Sequence, residues 1–349
     1  MVIERLELAD FRNFDFRELA FSHNRVLFTG PNGAGKTNLL ESIAFLSLLR
    51  SFRNAPAREL VRLGAKNFTL KADIRTRHGR EKLVVREHLS GQRELFIGRA
   101  AVRKSSDFIR EFHCVVFSPE DRLITGGSSG HRRKFFDILI STVEPEYLYR
   151  LARYSRALMQ RNRALKQNPA LAGAFDHELA EQAPVIAAKR AIYSEKMAQA
   201  VNELLGSKGK LELIYKTDTP DTPEAFLKLL NSKKSSELRR CCTLTGVQLD
   251  EFELIFNGKT LRNFGSTGQL RLISLLMKLA QFQMFQNDTP APVAVLADDI
   301  SGELDAENFE LFLQTISSAD QAFFTFASAI PDALKDSEVI QVGSAPCSL

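Results

Sequence analysis

The chain contains no tryptophan and only four cysteines, and those cysteines are poorly placed for disulfide or metal chemistry. Cys114, Cys241, Cys242 and Cys347 form no C-x-x-C pair, and their spacing to the scattered histidines does not match a zinc site. This pattern excludes a disulfide-rich secreted domain and a zinc-binding module. We therefore expect reduced thiols and no zinc.

Long hydrophobic runs are also missing. Eight charged residues fall within the first twenty positions, which excludes a secretory signal. No stretch approaches the roughly 20 apolar residues of a membrane span. With 349 residues, 44% of them hydrophobic, the sequence indicates a soluble globular protein of the cytoplasm without a membrane partner.

Acidic residues are scarce in the first half of the chain. Residues 1–166 hold 31 lysines and arginines against 18 acids, a net charge of +13, whereas residues 167–349 hold 16 against 24, or −8. Two blocks, residues 50–110 and 131–166, carry +10 and +6. Charge runs are often only solvated surface. The asymmetry nevertheless favours a polyanion partner such as nucleic acid.

The strongest motif present is Gly30-Pro31-Asn32-Gly33-Ala34-Gly35-Lys36-Thr37, which fits the phosphate-loop pattern G-x-x-x-x-G-K-[ST]. A β-prone run precedes it and a helical pattern follows it, as the motif requires. Lys36 would approach the β- and γ-phosphates, and the Thr37 hydroxyl would ligate Mg²⁺. The predicted nucleotide-binding residues are Gly30, Asn32, Gly33, Ala34, Gly35, Lys36, Thr37 and Asn38.

A Ser/Gly turn near residue 266 opens a helix with apolar residues at helical spacing. Taken alone, such a turn is more often an ordinary helix cap than an anion site. Its candidate phosphate-binding residues are Ser266, Gly268 and Gln269.

A short apolar run at 293–297 ends in two carboxylates, Asp298 and Asp299. Open α/β sheets place ligand chemistry at the carboxyl ends of buried parallel strands. With a phosphate loop upstream, Asp298 is positioned to hold Mg²⁺ through water. Asp299 is positioned to orient the attacking water. The candidate catalytic residues are therefore Asp299 and the phosphate-binding Lys36.

The remaining patterns predict the organisation of the chain. Two strands lead to the phosphate loop, an antiparallel meander with a basic face covers 67–97, helices cover 131–205, and Asn257-Gly258 favours a tight hairpin. We predict an ATPase lobe at 1–125 and 245–349, and a helical lobe at 126–244 leading to a signature segment near 264–270. The candidate DNA-binding residues are Arg75, Arg77, Arg132, Arg133, Arg150 and Arg153.

The order of these parts resembles the heads of ABC-type ATPases, and shorter segments resemble the RecF recombination-mediator family. These segments are Asp10-Phe11-Arg12-Asn13-Phe14, residues 35–41, Arg50-Ser51-Phe52-Arg53, residues 117–121, Arg132-Arg133 with Phe136-Asp137, and Gln160-Arg161-Asn162. The resemblance covers essentially the whole chain. It implies an α/β fold, with an ABC-type ATPase head that has a P-loop sheet and an antiparallel β subdomain, and a mainly α-helical second lobe.

The resemblance also implies a mechanism. ATP and Mg²⁺ held by Lys36, Thr37 and Asp298 of one subunit would be closed over by Ser266 and Gly268 of a second subunit. The resulting ATP-dependent head-to-head homodimer would clamp double-stranded DNA and gapped or single-stranded junctions, and slow hydrolysis would release it. The resemblance further implies RecR and RecO as partners, support of RecA loading, and a nucleoid-associated location in a bacterium.

Three departures from the family pattern concern hydrolysis and subunit coupling more than ATP binding. Residues 246–251 lack a histidine and a basic residue, Gly302 replaces a serine, and residues 325–328 offer no histidine. A transporter's ABC subunit, a P-loop small-molecule kinase and an SMC-like head remain alternatives. The segment between Glu120 and Gly265 is, however, too short for the heptad arms of an SMC protein.

Overall fold

The computed structural model describes residues 2–76, 79–302, 304–326 and 330–343. The candidate DNA-binding residue Arg77 lies outside the described residues. The chain divides into two compact units, one made of residues 1–121 and 281–349 and the other of residues 122–280.

The described residues combine strands and helices throughout. The strands are β1 (Ile3–Phe11), β2 (Phe14–Ala20), β3 (Arg25–Thr29), β4 (Asn67–Thr76), β5 (Gly79–His88), β6 (Arg93–Ile97), β7 (Ala100–Ala101), β8 (His113–Phe117), β9 (Leu211–Lys216), β10 (Glu251–Phe256), β11 (Lys259–Thr260), β12 (Val293–Asp298), β13 (Gln321–Phe326) and β14 (Glu338–Gln341). The α-helices are α1 (Lys36–Leu48), α2 (Ser105–Ile109), α3 (Arg122–Gly126), α4 (Ser129–Val143), α5 (Pro145–Gln167), α6 (Asp176–Leu205), α7 (Pro223–Arg240), α8 (Leu261–Phe264), α9 (Thr267–Asp288) and α10 (Ala306–Thr315).

A five-stranded parallel sheet, in the order β14-β3-β13-β12-β8, positions the nucleotide loop in the first unit. Every residue of β12 and β13 is buried, which explains the short, continuous apolar runs of the sequence. Because the strands are parallel, their carboxyl ends meet at one edge. The phosphate loop after β3 and the carboxylates at the end of β12 therefore lie at the same edge.

The predicted antiparallel meander is present in the first unit as a six-stranded sheet, in the order β2-β1-β4-β5-β6-β7. Along β4, buried residues alternate with more exposed ones, as expected when one face of a sheet covers a core. Phe68 of β4 packs edge-on against Phe11 of β1 and Phe45 of α1, with ring centroids 5.1 and 5.2 Å apart. These contacts join the sheet to the helix that follows the phosphate loop.

The second unit is built from helices α3 to α8, most of α9, and the three-stranded sheet β11-β10-β9. The predicted hairpin turn is present, since Asn257 and Gly258 both adopt positive φ values, 50° and 76°. In its core, Phe136 of α4 stacks on Phe252 of β10 at 4.1 Å. The buried guanidinium of Arg190 pairs with Asp137 at 2.9 Å and Asp250 at 2.7 Å.

The compact units and the predicted lobes differ in two segments, the short residues 122–125 and the longer residues 245–280. Residues 245–280 lie in the second unit, whereas the sequence interpretation placed them with the ATPase lobe. The reason is long-range pairing: β10 pairs with β9 from Glu251 to Phe256, and Phe252 stacks on Phe136. The second unit therefore holds the small sheet and the Ser266 turn as well as the helices.

Candidate nucleotide-binding site

The loop between β3 and α1 needs glycine at several positions. Gly33 and Gly35 have φ values of 82° and 100°, in the left-handed region that favours glycine. A Cβ atom on Gly30 would lie 2.3 Å from the carbonyl oxygen of Val342, and one on Gly35 would lie 2.7 Å from the ring of Phe14. Packing therefore leaves no room for a side chain at Gly30 or Gly35. The backbone N–H groups of the loop and of the first turn of α1 remain available for an anion.

Lys36, the first residue of α1, is folded into this loop. Its Nζ donates to the carbonyl oxygens of Gly30 at 2.7 Å and Pro31 at 3.0 Å. Only 9% of the residue is exposed. The ammonium group is therefore held within the loop, where a bound phosphate group would meet it.

Two hydroxyl groups hold the carboxylate of Asp298. Thr37 Oγ1 donates to Asp298 Oδ1 at 2.8 Å, and Thr325 Oγ1 donates to the same oxygen at 2.9 Å. Thr325 Oγ1 also accepts the backbone N–H of Asp299 at 2.9 Å. Burial raises the pKa of Asp298, although the hydrogen bonds from Thr37 and Thr325 lower it in part.

This pair of oxygen donors suits a magnesium ion. Mg²⁺ prefers hard oxygen ligands and commonly uses one or two protein groups together with substrate phosphates. Thr37 and Asp298 are 261 positions apart in sequence, and the fold brings the hydroxyl and the carboxylate into direct contact. The donor chemistry therefore fits the predicted ion.

Asp299 differs from its neighbour in exposure and in backbone conformation. It is exposed and has a φ of 49°, a left-handed conformation that is uncommon for aspartate. It lines an open cleft of about 240 Å³ together with residues of the loop and of three other segments. The lining residues are Asn32, Gly33, Gly35, Lys36, Thr37, Asn38, Arg53, Asp298, Asp299 and Thr325.

The sequence interpretation did not assign Arg53 or Thr325 to the site. Arg53 lies just beyond α1, and its backbone N–H donates to Ser51 Oγ at 3.0 Å. The Ser51 hydroxyl donates to the buried carboxylate of Glu41. The sequence signal for Arg53 is the segment 50–53, which points to the family but not to a contact with the nucleotide. Thr325 gives no local signal, because its contact with Asp298 depends on the pairing of β12 with β13.

The Ser266 turn, in the second unit, forms a reciprocal helix cap. Ser266 Oγ accepts the N–H of Gln269 at 3.2 Å, and Gln269 Oε1 accepts the N–H of Ser266 at 3.0 Å. Ser266, Gly268 and Gln269 are all exposed at the start of α9. The amino-terminal end of this helix therefore faces solvent, with the partial positive charge of the helix dipole.

Comparison with known proteins identifies the family. A family model described as RecF/RecN/SMC N terminal domain matches residues 2–340. The DNA replication and repair protein RecF of Lactobacillus johnsonii is 32% identical over 93% of this chain and 92% of its own length. The corresponding protein of Leptospira interrogans is 34% identical over 93% of this chain and 91% of its own length. This chain belongs to the RecF family.

Solved structures agree with that assignment. The recombination mediator protein RecF-ATP has a TM-score of 0.88 and 27% identity, covering 97% of this chain and 95% of that one. RecF-ATPrS has a TM-score of 0.87 and 26% identity, with coverage of 98% and 96%. The Smc head of Pyrococcus furiosus, at 16% identity and a TM-score of 0.54, shares the fold alone. The predicted RecF resemblance and the ABC-type ATPase head fold are confirmed.

In this RecF-family chain, the candidate DNA-binding arginines of the second unit are engaged within that unit. The guanidinium of Arg132 is buried and pairs with Glu251 at 2.8 Å, so it has a structural role and we remove it from the candidate DNA contacts. Arg133 donates to the carbonyl of Asp250 at 2.7 Å. Arg150 pairs with Glu146 at 2.7 Å, and Arg153 pairs with Glu178 at 2.5 Å.

In the first unit, Arg75 pairs with Glu4 at 2.6 Å across neighbouring strands of the antiparallel sheet. The basic face predicted for this sheet is therefore partly neutralised by carboxylates that the charge count did not locate. Among the residues that the structure describes, no helix is both long and apolar enough to cross a membrane.

Proposed function

We propose that this RecF-family protein is an ATP-dependent DNA-binding protein of replication and recombinational repair, with a weak ATPase that serves as a switch. The contact between Thr37 and Asp298 in the phosphate-loop cleft carries the proposal, because it joins the two halves of an ATP and Mg²⁺ site. The relatives named above are DNA replication and repair proteins. The two similar solved structures are described as RecF-ATP and RecF-ATPrS.

Each residue of the cleft has a proposed task. The loop N–H groups and Lys36 bind the phosphates of ATP, while Thr37 and Asp298 hold Mg²⁺. The ion, when bound, neutralises charge on the β- and γ-phosphates. Asp299, exposed at the rim, orients the attacking water.

The second half of the proposed site comes from another copy of the chain. Ser266, Gly268 and Gln269 of that copy close over the γ-phosphate, which the exposed start of α9 favours. Because the γ-phosphate then contacts both subunits, dimerisation depends on it and hydrolysis weakens the dimer.

The ATP-bound homodimer clamps DNA at duplex regions and at gapped or single-stranded junctions, and its opening supports RecA loading. RecR and RecO are proposed partners, since the solved neighbours are described as members of a RecFOR pathway.

Sedimentation with and without ATP, each with labelled duplex DNA, tests this function. We expect monomers without ATP and DNA-bound dimers with ATP.

Two variants test the roles of the cleft residues. Lys36→Ala should abolish the ATP-dependent change in sedimentation, because the phosphates lose their cation. Asp299→Asn should preserve ATP binding and trap the dimer. A protein that stays monomeric with saturating ATP and DNA would contradict the clamp, and parental turnover by Asp299→Asn would show that another group orients the water.

A further inference from the structure

Many basic side chains of the antiparallel sheet form ion pairs with carboxylates of the same sheet, and Arg75 and Arg80 share Glu4. The pairs are Lys71 with Glu7 (2.5 Å), Arg75 with Glu4 (2.6 Å), Arg80 with Glu4 (2.8 Å), Lys82 with Asp73 (3.3 Å), Arg86 with Glu94 (3.1 Å) and Arg93 with Glu87 (2.5 Å). Most of these pairs have a partly exposed cation, and such pairs add little stability. They do, however, leave these cations with little net charge for an external anion.

The outermost hairpin of the sheet is different. Gly98 and Arg99 join β6 to β7, and the chain then continues through Arg103 and Lys104 into α2. All three residues are exposed, and within the described part of the chain none of their cationic side chains has a hydrogen bond or an ion pair. No carboxylate occurs in the twelve positions 95–106. The positive charge of the sheet is thus concentrated at this edge.

We propose that this basic hairpin, residues 98–104, binds the phosphate backbone of duplex DNA through Arg99, Arg103 and Lys104. The assignment rests on the proposed DNA-binding function and names a contact site for it. Lysine and arginine contacts to phosphate hold a protein on DNA without reading its sequence. Such contacts suit a clamp that must close on many sequences.

The position of the basic hairpin leaves it open to a large ligand. β7 is the last strand of the six-stranded sheet, and no further strand of the described residues covers its outer edge. The hairpin turn lies at the same end of the sheet as the start of β5, because β6 and β5 are antiparallel. A rod-like duplex can therefore approach the end and edge of the sheet without displacing another element of it.

Two carboxylates oppose the cations of the basic hairpin. Glu81 lies close to Gly98, where its Oε2 would be 3.3 Å from a Cβ atom, and Asp107 is exposed in α2. The three cations outnumber them. Duplex DNA presents about one negative charge for each 1.7 Å of its axis, so the attraction to several phosphates outweighs the repulsion from two carboxylates.

The test compares the parent protein with the triple variant Arg99→Ala, Arg103→Ala, Lys104→Ala in the presence of ATP. Fluorescence anisotropy with a labelled duplex gives the Kd between 50 and 200 mM salt. Loss of three phosphate contacts should reduce the slope of log K against log salt by about 2.7. The parent should therefore lose about 40-fold more affinity than the variant over that range.

A second triple variant controls for net charge. Lys228→Ala, Lys233→Ala, Lys234→Ala removes three exposed cations from α7 in the second unit and should keep the parental slope. Unchanged ATP binding by both triple variants would show that the nucleotide lobe is folded. The assignment is overturned if the hairpin variant keeps the parental slope, or if both variants lose the same amount. A parent protein that binds no duplex overturns the proposed function, and the hairpin assignment with it.

Discussion

At the scale of single residues, a buried carboxylate is linked by hydrogen bonds to Arg53, one of the residues that line the nucleotide cleft. Glu41 of α1 is completely buried and accepts hydrogen bonds from Arg12 at 2.7 and 2.8 Å. It also accepts a hydrogen bond from the hydroxyl of Ser51. The Ser51 oxygen in turn accepts a hydrogen bond from the backbone N–H of Arg53. One side chain thus connects the turn after β1, the helix after the phosphate loop, and the segment that brings Arg53 to the cleft.

Glu41→Gln should destabilise the protein by about 3 kcal/mol, because a buried ion pair loses one charge while Arg12 keeps its own. The matched control is Glu18→Gln. Glu18 pairs with Arg5 at 2.7 Å, but both side chains are more than 40% exposed, so we expect a much smaller cost than for Glu41. Urea unfolding measures both free energies. Equal effects of the two changes would contradict the role of Glu41.

His113 should make stability depend on pH. Its side chain is buried at the start of β8, and burial lowers the pKa from 6.5 to about 4. Between these values the unfolded chain binds a proton that the folded chain excludes, so the free energy of unfolding falls as the pH falls. The stability that neutral His113 permits is fully present well above pH 6.5. At pH 4, the free energy of unfolding is lower by roughly 3 kcal/mol because of this residue.

Urea unfolding of the parent and of His113→Leu between pH 7 and pH 4.5 tests this expectation. The variant lacks the titrating ring, so its free energy of unfolding should fall less steeply over this range. His23→Leu removes an exposed imidazole and serves as the control. Identical pH profiles for the parent and His113→Leu would show that other groups cause the acid sensitivity.

At the scale of elements, a buried hydroxyl connects α3 to the signature helix α9. Thr125 Oγ1 lies 3.0 Å from the carbonyl oxygen of Leu270 and 2.9 Å from Ser274 Oγ. Leu270 N donates to the carbonyl of Ser266 at 2.9 Å. The contact is thus made within the first two turns of α9, close to the residues proposed to meet the γ-phosphate. It fixes the direction in which that helix end points.

Thr125→Val should weaken the ATP-dependent dimer about tenfold, or ~1.4 kcal/mol, because the hydroxyl that orients α9 is lost while the side-chain shape is kept. ATP binding by the monomer should not change, since the cleft is built from other elements. Thr142→Val is the control, because the Thr142 hydroxyl donates within its own helix, to the carbonyl of Ile138 at 2.9 Å, and makes no other hydrogen bond among the described residues. Sedimentation measures the dimer, and a parental dissociation constant for Thr125→Val would contradict this role.

At the scale of the whole molecule, the proposed active unit is a pair of chains with two shared pockets. In the proposed dimer, each pocket takes Lys36 from one chain and Ser266 from the other. A chain altered at either residue cannot complete a pocket with an identical copy. A mixed pair of the two variants, however, contains one intact pocket and one doubly altered pocket.

Mixing Lys36→Ala with Ser266→Arg should therefore restore dimers and ATP turnover that neither variant shows alone. The bulky, cationic arginine blocks closure but leaves ATP binding by its own chain intact. Mixing Lys36→Ala with the double variant Lys36→Ala, Ser266→Arg should restore nothing. Sedimentation and phosphate release are the measurements, and full turnover by Ser266→Arg alone would mean that the site is complete in one chain.

The local features of this protein can be predicted from its sequence. The phosphate loop, the strands and helices beside it, the Asn257 turn and the Asp298 strand end were all predictable, because each depends on residues that are close together in the chain. The order of these parts also sufficed for the family and for the ATPase head fold.

Tertiary structure alone decided how distant residues meet. Thr325 joins Asp298 only through the pairing of β12 with β13, and Glu41 finds Arg12 only when α1 packs near the turn after β1. The charge count likewise could not separate Arg75, which Glu4 neutralises, from Arg99, which is exposed at the sheet edge. Strand order and register determine these pairs, and both arise from contacts between residues far apart in the chain.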